Sequence, residues 1–257
     1  MSGILANLAE LAEIGQDMAL AFFLVFLRIG AALSLMPAFG EQTVPQRVRL
    51  VLALAFTAVI TPAVAPALTP GPVAAAIAAE VVAGLLIGIG LRLMVIALQI
   101  AGTIAAQAAS LTQVFGGLGA EPQPAMANLF VVAGLALAVM AGLHVRAAEL
   151  VILSYDLLPP GRLPGPGDVA EWGLDRIVRV FALGFSLAAP FVIASVLYNA
   201  ALGVINKAMP QLMVFFVGAP ALTLGGLVLL ALTTPLRLGV WTQALSDHLA
   251  APFSVAP

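Results

Sequence analysis

Between Val180 and Leu236 the chain carries one charged residue, Lys207. No soluble helix of that length can be built from such a stretch, because it has no polar face to turn toward water. The whole chain follows suit: of its 257 residues 62% are hydrophobic and 9% are charged, against about 25% charged in an average soluble domain. The solvent around most of it is therefore lipid or other apolar protein.

A helix needs about 20 apolar residues to cross hydrocarbon. Six runs come near that length, at 18–36, 48–68, 73–109, 126–153, 177–205 and 212–236. Alanine and leucine dominate them, and lipid leaves no backbone group unpaired, so they read as helices. The fold class expected is an all-α membrane protein of long apolar helices and helical hairpins. Prolines punctuate the joins, at Pro37 and Pro45, Pro62 to Pro72, Pro122 and Pro124, and Pro159 to Pro166. The last group lies in DLLPPGRLPGPGD, the longest polar stretch and the expected boundary between two halves. No repeat of fixed period is visible. The N-terminus carries Glu10, Glu13 and Asp17 before any basic residue, which is not the positive start of a secretory signal. The first apolar run is expected to belong to the mature protein.

Short loops on the cytoplasmic side of a membrane protein usually hold the excess of lysine and arginine. Six simple spans would put Arg47, Arg49 and Lys207 on one side and Arg162, Arg176, Arg179 and Arg237 on the other. That is no asymmetry, so a standard polytopic layout is doubtful. Arg28, Glu80, Arg92 and Glu149 fall inside apolar runs, where a lone charge costs about 2.5–3.5 kcal/mol on insertion scales. They could form a proton or ion relay, or pair between helices or subunits. Scattered one per helix, they fit pairing better. GLLIG at Gly84 to Gly88 is a GxxxG, and Ala101, Ala105 and Ala109 continue a small-residue face. Such stripes let helix backbones approach closely.

Catalytic chemistry is missing. His144 and His248 stand in no metal-ligand spacing, and no phosphate loop, dinucleotide fingerprint or serine elbow occurs. Ser186 and Ser195 lie in an apolar run with no base in view. There is no cysteine, and the net charge of −2 excludes binding to nucleic acid by phosphate attraction. No enzyme activity, cofactor or metal is expected.

Three stretches carry a family resemblance. The first is FLRIGAALSLMPAFGEQTVPQRVRL, with Arg28, Pro37, Phe39, Gly40, Val44, Pro45, Arg47 and Arg49. The second is SYDLLPPG at 154–161. The third is the long segment around INKAMPQLM at 205–213. Together they resemble the FliR family, flagellar export-gate membrane proteins related to type III secretion, over both halves of the chain. The resemblance implies a FliP-like N-terminal half over 1–155, a polar linker over 156–175 and a FliQ-like hairpin half over 176–257. It further implies assembly with FliP-like and FliQ-like subunits, contact with an FlhB-like protein, and a place in the bacterial inner membrane at the flagellar basal body. Unfolded protein substrates would pass through.

In that family the loop at about 107–128 is expected to line or plug the channel. Here it holds polar but neutral Gln107, Ser110, Thr112 and Gln113 beside apolar or flexible Phe115, Gly116, Gly117 and Met126. That composition suits a constriction that yields to a passing chain without gripping it by charge. Asn206, Lys207, Pro210 and Gln211 read as a hydrated hairpin tip, since Pro210 cannot continue a helix without losing a backbone bond. The resemblance turns the tip toward the cytoplasmic partner. The alternative from another class is a small-molecule transporter with its site around Glu80, Arg92 and Glu149.

Overall fold

The structure is a computed structural model that describes residues 2–41, 44–67, 72–109, 125–209 and 214–254. Every regular element among these residues is helical. In chain order they are α1 (Ser2–Leu35), α2 (Gln46–Val64) with a 3-10 turn at Ala65–Ala67, α3 (Val73–Ala109), α4 (Ala125–Met140), α5 (Leu143–Leu157), α6 (Pro166–Ala208) and α7 (Val214–Ala250). Five of them are long and apolar enough to cross a membrane, or six spans if α4 and α5 together make one.

Three boundaries differ from the sequence expectation, each for a local reason. The run 126–153 is two helices, because Gly142 takes a left-handed φ of 82°, a conformation that ends a helix cleanly only at glycine. The stretch 156–175 is helical from Pro166 onward. Proline is well suited to a first helical position, and Asp168 in the first turn complements the helix dipole. A search for apolar runs cannot see this start, which is polar. At the N-terminus α1 begins at Ser2 rather than at residue 18, taking the acidic residues into the helix.

The chain forms two compact units. Unit 1 takes residues 1–92, 141–175 and 247–257, and unit 2 takes 93–140 and 176–246. In unit 1, α2 packs on both α1 and α5, and the GxxxG face of α3 lies on α1. A Cβ at Gly84 would fall on the Arg28 carbonyl oxygen, and one at Gly88 would stand 2.7 Å from the Ala32 carbonyl oxygen. Only glycine admits that approach, so GLLIG is a helix-packing seam. Trp172 of α6 packs within the same unit. Its indole N–H donates to the Pro252 carbonyl at 2.9 Å, and its ring meets Phe253.

In unit 2 the buried Trp241 of α7 donates its indole N–H to the Met94 carbonyl of α3 at 2.8 Å and lies beside Gly134 of α4. Gly102 of α3 packs on the backbone of Ala127, and Ala101 and Ala105 of the small-residue face are buried. Elsewhere this unit leaves much apolar surface bare, including Phe181, Phe185, Leu197 and Leu232.

Candidate functional site

Arg28 is the hub of unit 1. It sits in the middle of α1 and is completely buried, as are Glu80 on α3 and Ser154 on α5. Its Nε donates to Glu80 Oε2 at 2.6 Å and one terminal nitrogen donates to Glu80 Oε1 at 3.0 Å, so the ion pair is bidentate. The same nitrogen also donates to the Leu158 carbonyl at 3.0 Å, and the other donates to Ser154 Oγ at 2.9 Å. Ser154 Oγ in turn donates to the Val151 carbonyl at 2.6 Å, and Tyr155 Oη donates to Glu80 at 3.1 Å. The guanidinium lies over the Tyr155 ring, 3.6 Å from its centre. A charge this deep is tolerated only when it is paired and its remaining hydrogen-bonding groups are met. Here both conditions hold, and α1, α3 and α5 are tied together at one point.

The second pair in unit 1 is nearer the surface. Arg92 donates to Glu41 Oε1 at 2.6 Å, with the two side chains about one-third exposed. Arg49 donates to the backbone carbonyls of Gly40 and Glu41 at 3.4 and 3.0 Å. The turn after α1 is therefore held from two sides. It includes Ala38 in a left-handed conformation, φ 67°, which costs a non-glycine residue about 1–2 kcal/mol.

These contacts separate the four charges of the apolar runs. Arg28 and Glu80 pair with each other, Arg92 pairs with Glu41, and Glu149 stands exposed on α5. The converging polar site of a small-molecule transporter does not form from Glu80, Arg92 and Glu149. A cleft of about 400 Å³ does open in unit 1 where α5 leads into α6, lined in part by Arg162, Asp168, Glu171 and Trp172, but none of those three charges borders it.

Of the loop residues, Gln107 is exposed on the last turns of α3 and Met126 is half-exposed in the first turn of α4. Ser110, Gln113, Phe115, Gly116 and Gly117 lie outside the described residues. Asn206 and Lys207 are exposed in the last turn of α6, where a cation complements the carbonyl end of the helix dipole. Pro210 and Gln211 lie outside the described residues.

Sequence reasoning missed four residues. Ser154 and Tyr155 were visible only as letters in SYDLLPPG, and their roles need the tertiary contact with Arg28. Glu41 sits in a turn and gives no signal of its own. Arg237 was placed among the loop charges. It is instead a buried residue of α7, its guanidinium 4.2 Å from the centre of the Phe191 ring and 5.7 Å from that of Phe130. Its position directly after a charge-free run ending at Leu236 was the available clue.

Fold and charges together define a protein that is helical in every regular element of its described residues, has helices long and apolar enough to cross a membrane, and uses its buried Arg28–Glu80 pair for packing. Among the described residues no group of His, Asp or Glu could hold a metal ion. The chain belongs to the bacterial export proteins, family 1, whose sequence model matches residues 19–248. It is similar to the flagellar biosynthetic protein FliR of Caulobacter vibrioides, 33% identical over 234 residues that cover 88% of this chain and 93% of the relative. It is also similar to FliR of Aquifex aeolicus, 28% identical with 93% of each chain covered, and to FliR of Escherichia coli, 27% identical with 84% of each covered.

Proposed function

We propose that this chain is a non-enzymatic subunit of a flagellar or type III protein export gate and forms part of the inner-membrane channel taken by unfolded substrates. The observation that carries the reading is the match to bacterial export proteins, which spans residues 19–248. Relatives named FliR match over both halves at 84–93% of this chain's length in the three comparisons above.

The chemistry agrees with a subunit that works among neighbours. Only 28% of the apolar window of α6 and 22% of that of α7 is buried within the chain. Helices left that bare meet lipid, partner helices, or both. In our reading a FliP-like half, 1–155, and a FliQ-like half, 176–257, join through 156–175 and pack with FliP-like and FliQ-like subunits. Lys207, exposed at the end of α6, faces an FlhB-like partner on the cytoplasmic side. Gln107 and Met126 belong to the 107–128 segment, which lines or plugs the channel.

The test is co-expression with the other export-gate membrane subunits of the same organism, followed by purification in mild detergent. A defined hetero-oligomer containing this chain is expected. Recovery of the chain only as a monomer or homo-oligomer, alongside intact partners, would reject the reading.

A further inference from the structure

Unit 2 holds a buried charge that no hydrogen-bond acceptor among the described residues answers. Arg237 is buried to 5% exposure, and Nε and both terminal nitrogens have no hydrogen-bond partner among the described residues. Its neighbours Phe191 of α6 and Phe130 of α4 offer only ring faces. The described part of unit 2 contains Arg176, Arg179, Lys207 and Arg237 and no aspartate or glutamate at all. A cation–π contact offsets part of the cost of desolvating a guanidinium, but it leaves all the N–H donors unmet.

We infer that Arg237 is a docking residue for the carboxylate of an aspartate or glutamate carried within an apolar helix of a neighbouring subunit. The inference rests on the reading that the chain works inside a membrane assembly. The surface beside Arg237 favours a protein carboxylate over a lipid phosphate, because Arg237 lies within α7 and directly follows the charge-free run that ends at Leu236. Beside it, Leu232, Leu236 and Val240 make an uncovered stripe one helical turn apart, 74%, 74% and 46% exposed. That stripe gives a second helix an apolar seat next to the charge. The arginine side chain is long enough to turn out from under the rings toward a carboxylate on such a helix, and the paired state relieves a burial that is costly in the free chain.

The charge thus works in opposite directions in the two states, and this separates docking from ordinary packing. The wild-type chain, Arg237→Met and Arg237→Lys are each purified alone and with the co-expressed export-gate subunits. Arg237→Met removes an unmet buried charge, so the isolated chain is expected to melt about 5 °C higher or more. The same variant is expected to recover at least tenfold less hetero-oligomer, with Arg237→Lys between it and wild type. Normal assembly of Arg237→Met would overturn the proposal while leaving the export-gate reading intact. A lower melting temperature for isolated Arg237→Met would mean the charge is already paired within the chain, with Glu121 outside the described residues as the first suspect, and would overturn it too. Nanodiscs of phosphatidylcholine, with and without phosphatidylglycerol, give the lipid arm. Stabilisation of the isolated wild type by phosphatidylglycerol that vanishes in Arg237→Met would assign the charge to a headgroup phosphate instead. Failure of the wild type itself to form any hetero-oligomer would remove both this proposal and the reading beneath it.

Discussion

Replacing Arg28 with methionine keeps the apolar stem and removes the guanidinium. It deletes four hydrogen bonds, to Glu80 twice, to Ser154 and to the Leu158 carbonyl, and leaves Glu80 completely buried with the Tyr155 hydroxyl as its remaining partner among the described residues. Stranding one member of a buried pair costs about 3–5 kcal/mol. At about 2–4 °C per kcal/mol for a chain of this size, the melting temperature should fall by about 6–20 °C. The double variant Arg28→Met with Glu80→Met carries no stranded charge, and apolar replacements of a buried pair are often neutral or better. It should therefore return to within about 1 kcal/mol of the wild type, the signature of strong coupling in a double-mutant cycle. Arg92→Met is the control: its pair with Glu41 is partly exposed and worth under about 1 kcal/mol. The assay is thermal unfolding of the purified chain in detergent, followed by the near-ultraviolet signal of Trp172 and Trp241. A loss below about 1 kcal/mol for Arg28→Met, or a double variant as unstable as the single, would refute the assignment of Arg28 and Glu80 as the hub of unit 1.

The α1–α3 seam makes a sharper steric claim. Gly84→Ala places a methyl on the Arg28 carbonyl and should destabilise the chain despite alanine's better helix propensity, whereas Gly15→Ala, with open space around it, should be neutral or stabilise by up to about 1 kcal/mol; equal melting temperatures would reject the close approach. Lys207→Glu should leave the chain inserted and assembled, because the residue is exposed and reversing its helix-end charge costs only about 0.3–1 kcal/mol. Export measured in the same cells should fall if the α6 end contacts a partner; loss of the whole complex would place Lys207 in a buried contact. Deleting Gln113 to Gly117 should make resting membranes leak small ions if this segment contributes to closure, and a tight, exporting variant would remove that role.

What could be read from the sequence was the class and the location of helical mass. Long apolar runs with few charges read as helices in lipid, so α2, α3 and the bodies of α6 and α7 follow from composition. The polar first turns of α6 were not legible that way, because Asp168, Glu171 and Asp175 mask a helix whose inward residues are Trp172 and Arg176. The break between α4 and α5 turns on one glycine dihedral, which hydropathy does not record. Arg28 and Glu80 announced themselves by their cost in an apolar run, yet which charge met which depended on Ser154 and Tyr155, more than a hundred residues from Arg28 in sequence. Arg237 was hidden for the opposite reason. A charge at the edge of an apolar run looks like a loop residue until the helix is seen to continue to Ala250.

The claim at the centre of this account is that exported polypeptide passes along this chain, and the absence of cysteine makes it directly measurable. Single-cysteine variants at Gln107 and Met126, within the 107–128 segment, are paired with one at Val59 on α2, which is 73% exposed. An export substrate with one cysteine in its unfolded part is stalled in transit by a folded C-terminal domain, and the membranes are then oxidised. The account predicts a disulfide to the stalled substrate at Gln107→Cys and Met126→Cys and none at Val59→Cys. Cross-linking absent at both positions of the segment, in cells where the stalled substrate is shown to block export, would contradict it.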